Sequence, residues 1–133
     1  MIDVDFRAYL AGLGLVTDAN VPGAIQQDSV DQNGPADFIW FHRRSSTRDI
    51  NLDGGKRGFT ETSFDLELIS DDISLAQAWA ENVKEVLDGY RGEMGDSFVL
   101  GAFVEDHADD YVPIGGADEG KHVCSLDIQL IHT

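Results

Sequence analysis

The chain has 133 residues, with 9 Lys+Arg against 25 Asp+Glu, and so carries a net charge of −16. Ordinary phosphate-backbone binding needs clustered Lys and Arg to displace counterions, and a chain this acidic would mostly be repelled by DNA or RNA and by anionic lipid. It is not a disordered acidic tail, because 42% of its residues are hydrophobic and its aromatic residues are spread along its length. The length fits one globular domain over residues 1–133.

Phe6, Leu10 and Leu13 recur at helical spacing, and Gly12 and Gly14 follow, which predicts a short amphipathic helix over 3–13. Residues 16–37 are weakly patterned. They hold the turn signals Pro22-Gly23 and Asn33-Gly34-Pro35 and at most a short strand over 24–27. A strand is expected from Phe38 to about Ser45, followed by turn chemistry at Leu52-Asp-Gly-Gly55.

The clearest strand covers 60–69. Thr60, Thr62, Phe64, Leu66 and Leu68 share one face, and Glu61, Ser63, Asp65 and Glu67 share the other. This period of two is the mark of an antiparallel sheet with one solvated face. The main helix is expected over 74–88, capped by Asp71, Asp72 or Ser74 and ended by Gly89 or Gly92. Its apolar stripe reads Leu75, Trp79, Val83, Val86, Leu87 and Tyr90. A strand over 98–104 precedes a polar connection, 105–121, long enough to be functional or mobile. The last strand, 122–132, turns Cys124, Leu126, Ile128 and Leu130 inward and Ser125, Asp127 and Gln129 outward. The sum is an α+β domain in helix–hairpin–helix–hairpin order. About four main strands form an antiparallel or mixed sheet with the helices on one face.

No catalytic constellation emerges. The chain has no phosphate-cradling Gly-rich loop, Gly-x-Ser-x-Gly, His-Glu-x-x-His or Cys-x-x-Cys. Its paired acids, Asp71-Asp72, Glu105-Asp106 and Asp109-Asp110, read as caps and solvated loops. His42 and His122 can face each other across strands, although strand-end histidines are usually half-exposed surface residues. Cys124 lies in an alternating apolar pattern and reads as a buried structural thiol. Without a positive n-region, an apolar h-region or a long apolar run, a cytosolic setting without membrane contact is expected.

Asp49-x-Asn51-x-Asp53-Gly54 fits the first half of a calcium loop. The twelfth position is Thr60, however, where a bidentate Glu belongs, and the flanks read as strands. A hairpin turn demands the same residue types. Asp49, Asn51 and Asp53 are thus weak metal candidates. A small metal- or ligand-binding module using this turn and the 105–119 loop is the alternative function class. Acidity that reflects a saline medium is compatible with either class.

Charge placement is more informative. Five of the nine basic residues, Arg43, Arg44, Arg48, Lys56 and Arg57, fall between positions 43 and 57. A basic hairpin on an acidic remainder suits head-to-tail packing of copies, with those five residues at the subunit interface.

The order of residues also resembles a family. Phe38-Ile-Trp-Phe41, Arg48-Asp-Ile-Asn-Leu-Asp-Gly54, Phe64-Asp-Leu-Glu-Leu68, Val86-Leu-Asp-Gly-Tyr-Arg-Gly92 and Val123-Cys-Ser-Leu-Asp-Ile-Gln-Leu-Ile-His132 are similar to the tail-completion (tail terminator, head–tail joining) family of tailed phages. The agreement runs from about residue 36 to the end of the chain. The resemblance implies a structural protein, not an enzyme and without a cofactor, of an active phage, a prophage or a tail-derived machine. Family members form a ring, typically of six subunits, that stops growth of the tail tube and joins it to the head connector. The implied partners are other copies of the chain, the tail tube protein and the connector proteins. The implied location is the host cytoplasm during assembly and then the head–tail junction of the virion. DNA would pass through the lumen without sequence-specific binding. A lumen that lets DNA pass should repel phosphate, and the solvated strand faces offer Glu61, Asp65, Glu67 and Asp127 for that lining.

Overall fold

A computed structural model describes residues 2–13, 25–28, 37–48, 59–113 and 120–133. Helix α1 spans Ile2–Gly12, and strands β1, Ile25–Gln27, and β2, Phe38–Arg48, follow it. Strand β3, Thr60–Ser70, leads into helix α2, Ile73–Leu87, and then come β4, Gly92–Met94, β5, Ser97–Pro113, and β6, Gly120–His132. The strands form one sheet in the order β1-β2-β3-β6-β5-β4. Strand β1 runs parallel to β2, and every other neighbouring pair is antiparallel.

The alternation read in β3 and β6 is realised in their pairing. Thr62 opposes Leu130, Phe64 opposes Ile128, Leu66 opposes Leu126 and Leu68 opposes Cys124, all buried. The intervening rows face outward, with Asp65 opposite Asp127 and Glu67 opposite Ser125. The inward rows form one core with Phe6 and Leu10 of α1 and with Ala76, Trp79, Ala80, Val83 and Leu87 of α2. Phe6 stacks on Phe64 at 4.5 Å between ring centroids, and Phe41 meets both rings edge-on. Those three side chains are wholly buried.

Helix α2 begins where a cap was expected. The Asp72 carboxylate accepts from the backbone N–H of Ser74 at 2.9 Å. The helix ends before Gly89, whose φ of +81° is a left-handed conformation that suits glycine. The expected apolar stripe differs in one respect, because Val86 is exposed and Ala76 and Ala80 are buried in its place. Small side chains let the helix approach the sheet closely, so hydrophobicity alone misplaces the face.

The expected architecture needs a larger correction. The chain is mostly sheet. Its six mixed strands curl as a half-barrel, in place of about four strands with helices packed on a face. Three causes are visible. Strand β4 has three residues, too short to carry a pattern, and the short strand expected over 24–27 joins the same sheet as three-residue β1. The polar segment expected as a long connection is largely strand, since β5 continues to Pro113 and pairs with β6 back to Gly120. Its acidic side chains suit a strand whose edge is open, because charge there discourages pairing with other chains. Finally, the ladders carry extra residues at Arg44 in β2 and at Leu100 and Glu105 in β5, and such bulges bend strands.

The end of α2 covers part of the β5 edge. The N–H of Gly89 donates to the Ala102 carbonyl, and the Asp88 carboxylate accepts from the N–H of Val104. At the other end, buried Asp5 of α1 accepts from Ser97 Oγ at 2.6 Å and from the N–H of Asp96. Gly95 turns there with φ +59°, and a Cβ at that position would collide with the Asp5 carboxylate.

The aromatic centre makes a direct prediction. Phe64→Ala empties the space between Phe6, Phe41 and the β6 aliphatics, and should cost about 3–5 kcal/mol. Equilibrium denaturation in urea measures this as a lower midpoint at unchanged slope.

Candidate functional site

The outward face of the sheet brings together Arg44, Asp65, Glu67 and Asp127 of the residues that the sequence singled out. Register places His42, Asp65, Asp127 and Asp106 in one row across β2, β3, β6 and β5. The next row holds Trp40, Glu67, Ser125 and Ala108. These rows floor a shallow groove of about 290 Å³ lined by Trp40, Arg44, Asp65, Glu67, Asp106 and Asp127.

Arg44 is aimed into this face by the β2 bulge. Arg43 pairs with Phe64 and Ser45 with Ser63, which leaves Arg44 as the extra residue between them. The two adjacent arginines divide between the faces, as successive strand residues do. Arg43 turns to the helix side, where its Nη1 lies 3.5 Å from Asp3 of α1. Arg44 Nη1 donates to Asp65 at 2.9 Å and to Asp127 at 2.5 Å. Two carboxylates directly opposite on neighbouring strands repel, and a guanidinium between them offsets that repulsion.

The titration behaviour follows this geometry. The hydrogen bond to Asp127 holds Arg44 protonated more firmly than usual, against the opposing effect of burial. Burial pushes the Asp65 carboxyl up, the adjoining Asp127 adds to the rise, and Arg44 pulls in the other direction. Burial also raises Glu67, with a further contribution from the charge on Asp65.

Trp40 stacks on His42 with the rings 12° from parallel, and His42 Nδ1 meets the Asp28 carboxylate at 2.9 Å. The indole N–H of Trp40 is buried and finds no acceptor among the described residues. Farther along the face, Phe103 lies in the outward row opposite Gln129 and is 44% exposed.

Several residues singled out in the sequence are placed elsewhere. Glu61 lies in the outward row opposite Ile131, farther along β3 than the Arg44 cluster. Arg48 closes β2 opposite Thr60. Asp49, Asn51, Asp53, Lys56 and Arg57 lie outside the described residues. His42 and His122 do not face each other: His42 opposes Asp65, whereas His122 lies between Ser70 and Tyr111. The 105–119 loop loses most of its length to β5.

That extension of β5 builds a second cluster, one that reading 105–121 as a loop concealed. His107 and Asp109 alternate onto the inward row, and Asp109 lies opposite Cys124. His107 Nε2 meets Asp109 Oδ1 at 2.7 Å, Lys84 of α2 meets His107 Nδ1 at 2.9 Å, and Gln77 donates to Asp109. Burial and the Asp109 carboxylate push the Cys124 thiol up to about 12. In return the thiol's hydrogen bond, with help from His107 and Gln77, holds Asp109 low despite burial. A thiol so held is not an activated nucleophile, in keeping with the structural role read from its alternation. The available signal was the spacing His107-x-Asp109, with period two, opposite a cysteine.

The fold is shared with a solved structure. A chain of the virion of a native gene transfer agent (GTA) particle superposes with a TM-score of 0.56 at 17% identity, covering 95% of this chain and 86% of that one. No protein-family model matches the sequence, and no curated protein does. Among the described residues no helix is long and apolar enough to cross a membrane.

The raised Glu67 carboxyl sets a pH dependence. A carboxylate that is harder to ionise in the fold lowers stability wherever it is charged, and this cost disappears once both states are protonated. Glu67→Gln should therefore melt above the parent chain at neutral pH. The difference should shrink as pH falls through the raised value and close below 4.5, the ordinary value for the group. Thermal melts across that range check it.

Proposed function

We propose that this chain is a structural subunit of a phage-like particle, and within that class a tail terminator or head–tail joining subunit that assembles as a ring of six. The observation that carries this reading is the likeness over nearly the whole chain to a chain of a gene transfer agent virion. It joins the resemblance to the tail-completion family in the order of residues from 36 onward. Partners on this reading are further copies of the chain, the tail tube protein and the head connector. The setting is the host cytoplasm during assembly and the head–tail junction afterwards.

The charge map supports the same reading. A conduit for DNA works best when its wall does not hold phosphate, and the molecule carries −16 overall. The lumen-facing assignment rests on Glu61, Asp65, Glu67 and Asp127, all in outward rows. Because Arg44 bridges Asp65 and Asp127, the lining charge would fall mainly to Glu61 and Glu67. Head-to-tail contact would use the basic segment of residues 43–57. Arg43 and Arg44 also hold intramolecular partners, in Asp3 and Asp65. The alternative, a small metal- or ligand-binding module using the 49–53 turn and the 105–119 loop, would have to draw on a paired strand over 105–113.

Two measurements test this function. Deleting the gene should leave filled heads and separate tails, with electron microscopy showing no joined particles; normal particles would overturn the reading. Replacing Glu61, Asp65 and Glu67 together by Lys should leave assembly intact and slow genome ejection. Unchanged ejection kinetics would reject the lumen assignment while leaving the ring untouched.

A further inference from the structure

We propose that His107, Asp109 and Cys124 form a binding site for a zinc-class divalent cation, on the side of the sheet beneath α2. The proposal is independent of the assembly function, since none of these residues belongs to the outward face. Its basis is geometric. His107 and Asp109 are two apart on β5, so both point to the inward side, and Cys124 lies opposite Asp109 on β6. One imidazole nitrogen, one carboxylate oxygen and one sulfur all lie within 4.8 Å of one another. Nitrogen, oxygen and sulfur together form the donor set that zinc and cobalt accept and that calcium and magnesium do not favour.

The distances are compatible with small side-chain rotations. Bonds of about 2.0–2.3 Å place tetrahedral ligand atoms roughly 3.3–3.7 Å apart. The sulfur would close by about an ångström at most. The His107–Asp109 pair, now hydrogen-bonded at 2.7 Å, would open slightly. Access is open at one side, as the His107 and Asp109 side chains are 21% and 42% exposed, while Cys124 is fully buried. Three protein ligands would leave the fourth position to water.

Neighbouring groups fit the exchange of protons that binding demands. The Cys124 S–H bond breaks, its proton passes to solvent by way of the adjacent carboxylate, and a sulfur–metal bond replaces it. His107 would bind through Nε2 and carry its proton on Nδ1. Lys84, now against Nδ1, has a ready alternative in Glu81, whose carboxylate is already 2.7 Å away. Gln77 donates to the second oxygen of Asp109 and would orient that ligand from outside the coordination sphere.

Cobalt(II) is the direct probe, because a cobalt–thiolate bond adds a charge-transfer band in the near ultraviolet. Titrating the full chain should raise that band to saturation at one equivalent, and zinc(II) should abolish it by displacement. Cys124→Ser should remove the band, with circular dichroism confirming the fold. His107→Gln, at a partly exposed position, should weaken cobalt binding by roughly tenfold or more, at least the loss typical of removing an outer-sphere partner. A chain that gives no band at a large excess of cobalt overturns the site, as does a band that survives Cys124→Ser or an affinity unchanged by His107→Gln. Any of these results would leave the cluster as a hydrogen-bonded chain of Lys84, His107, Asp109 and Cys124.

Discussion

The antiparallel ladder between β3 and β6 is the constraint on which the rest of the molecule depends. It runs without interruption from Thr60 opposite His132 to Ser70 opposite His122. Because strand side chains alternate, that one register decides both faces together. It assembles Phe64, Leu66, Leu68, Leu126, Ile128 and Leu130 into the core that they share with buried residues of α1 and α2. It equally forces Asp65 against Asp127 on the other side. A slip of one residue would relieve that repulsion only by turning the aromatic and aliphatic rows out to water. The hydrophobic term wins, and the acidic pair is a consequence.

What makes the pair tolerable is the irregularity in the neighbouring strand. Without the extra residue at Arg44, strict alternation would hold β2 in step with β3. Beside the bulge, Arg43 reaches Asp3 on the helix side and Arg44 reaches the two carboxylates. One local defect thus serves both sides of the sheet. It also bends β2, as the extra residues at Leu100 and Glu105 bend β5, and the sheet curls accordingly. Curvature, internal ion pairing and the shape of the outward groove therefore share a cause. On the proposed assembly role, this tempers the idea of a basic hairpin reserved for a neighbour, since two of its five cations are already engaged within the chain.

The second cluster arises from the same economy of register. Extending β5 alongside β6 brings two polar residues of an inward row, His107 and Asp109, against the buried thiol of Cys124. Polar groups on an inward row need partners, and α2 provides Lys84 and Gln77. The site is assembled by three elements, β5, β6 and α2. None of them announces it alone.

The long periodic elements were legible because burial imposes a period that a single sequence displays. The alternation of Thr60 to Leu68 and Cys124 to Leu130, the Asp72 cap and the amphipathic character of α1 and α2 are all written locally. So was the outward position of Glu61, Asp65, Glu67 and Asp127, which follows from alternation. The charge of −16 and its concentration of cations between Arg43 and Arg57 were equally plain. Tertiary structure decided what depends on partners distant in the chain. It made residues 105–113 a strand, since only pairing with β6 gives that polar run its backbone hydrogen bonds. It recruited three-residue β4, and set Val86 outside and Ala76 and Ala80 inside. Composition set how much charge the molecule carries. Register and bulge decided which charges meet, because side-chain contacts across a sheet are fixed by strand pairing and not by proximity in sequence.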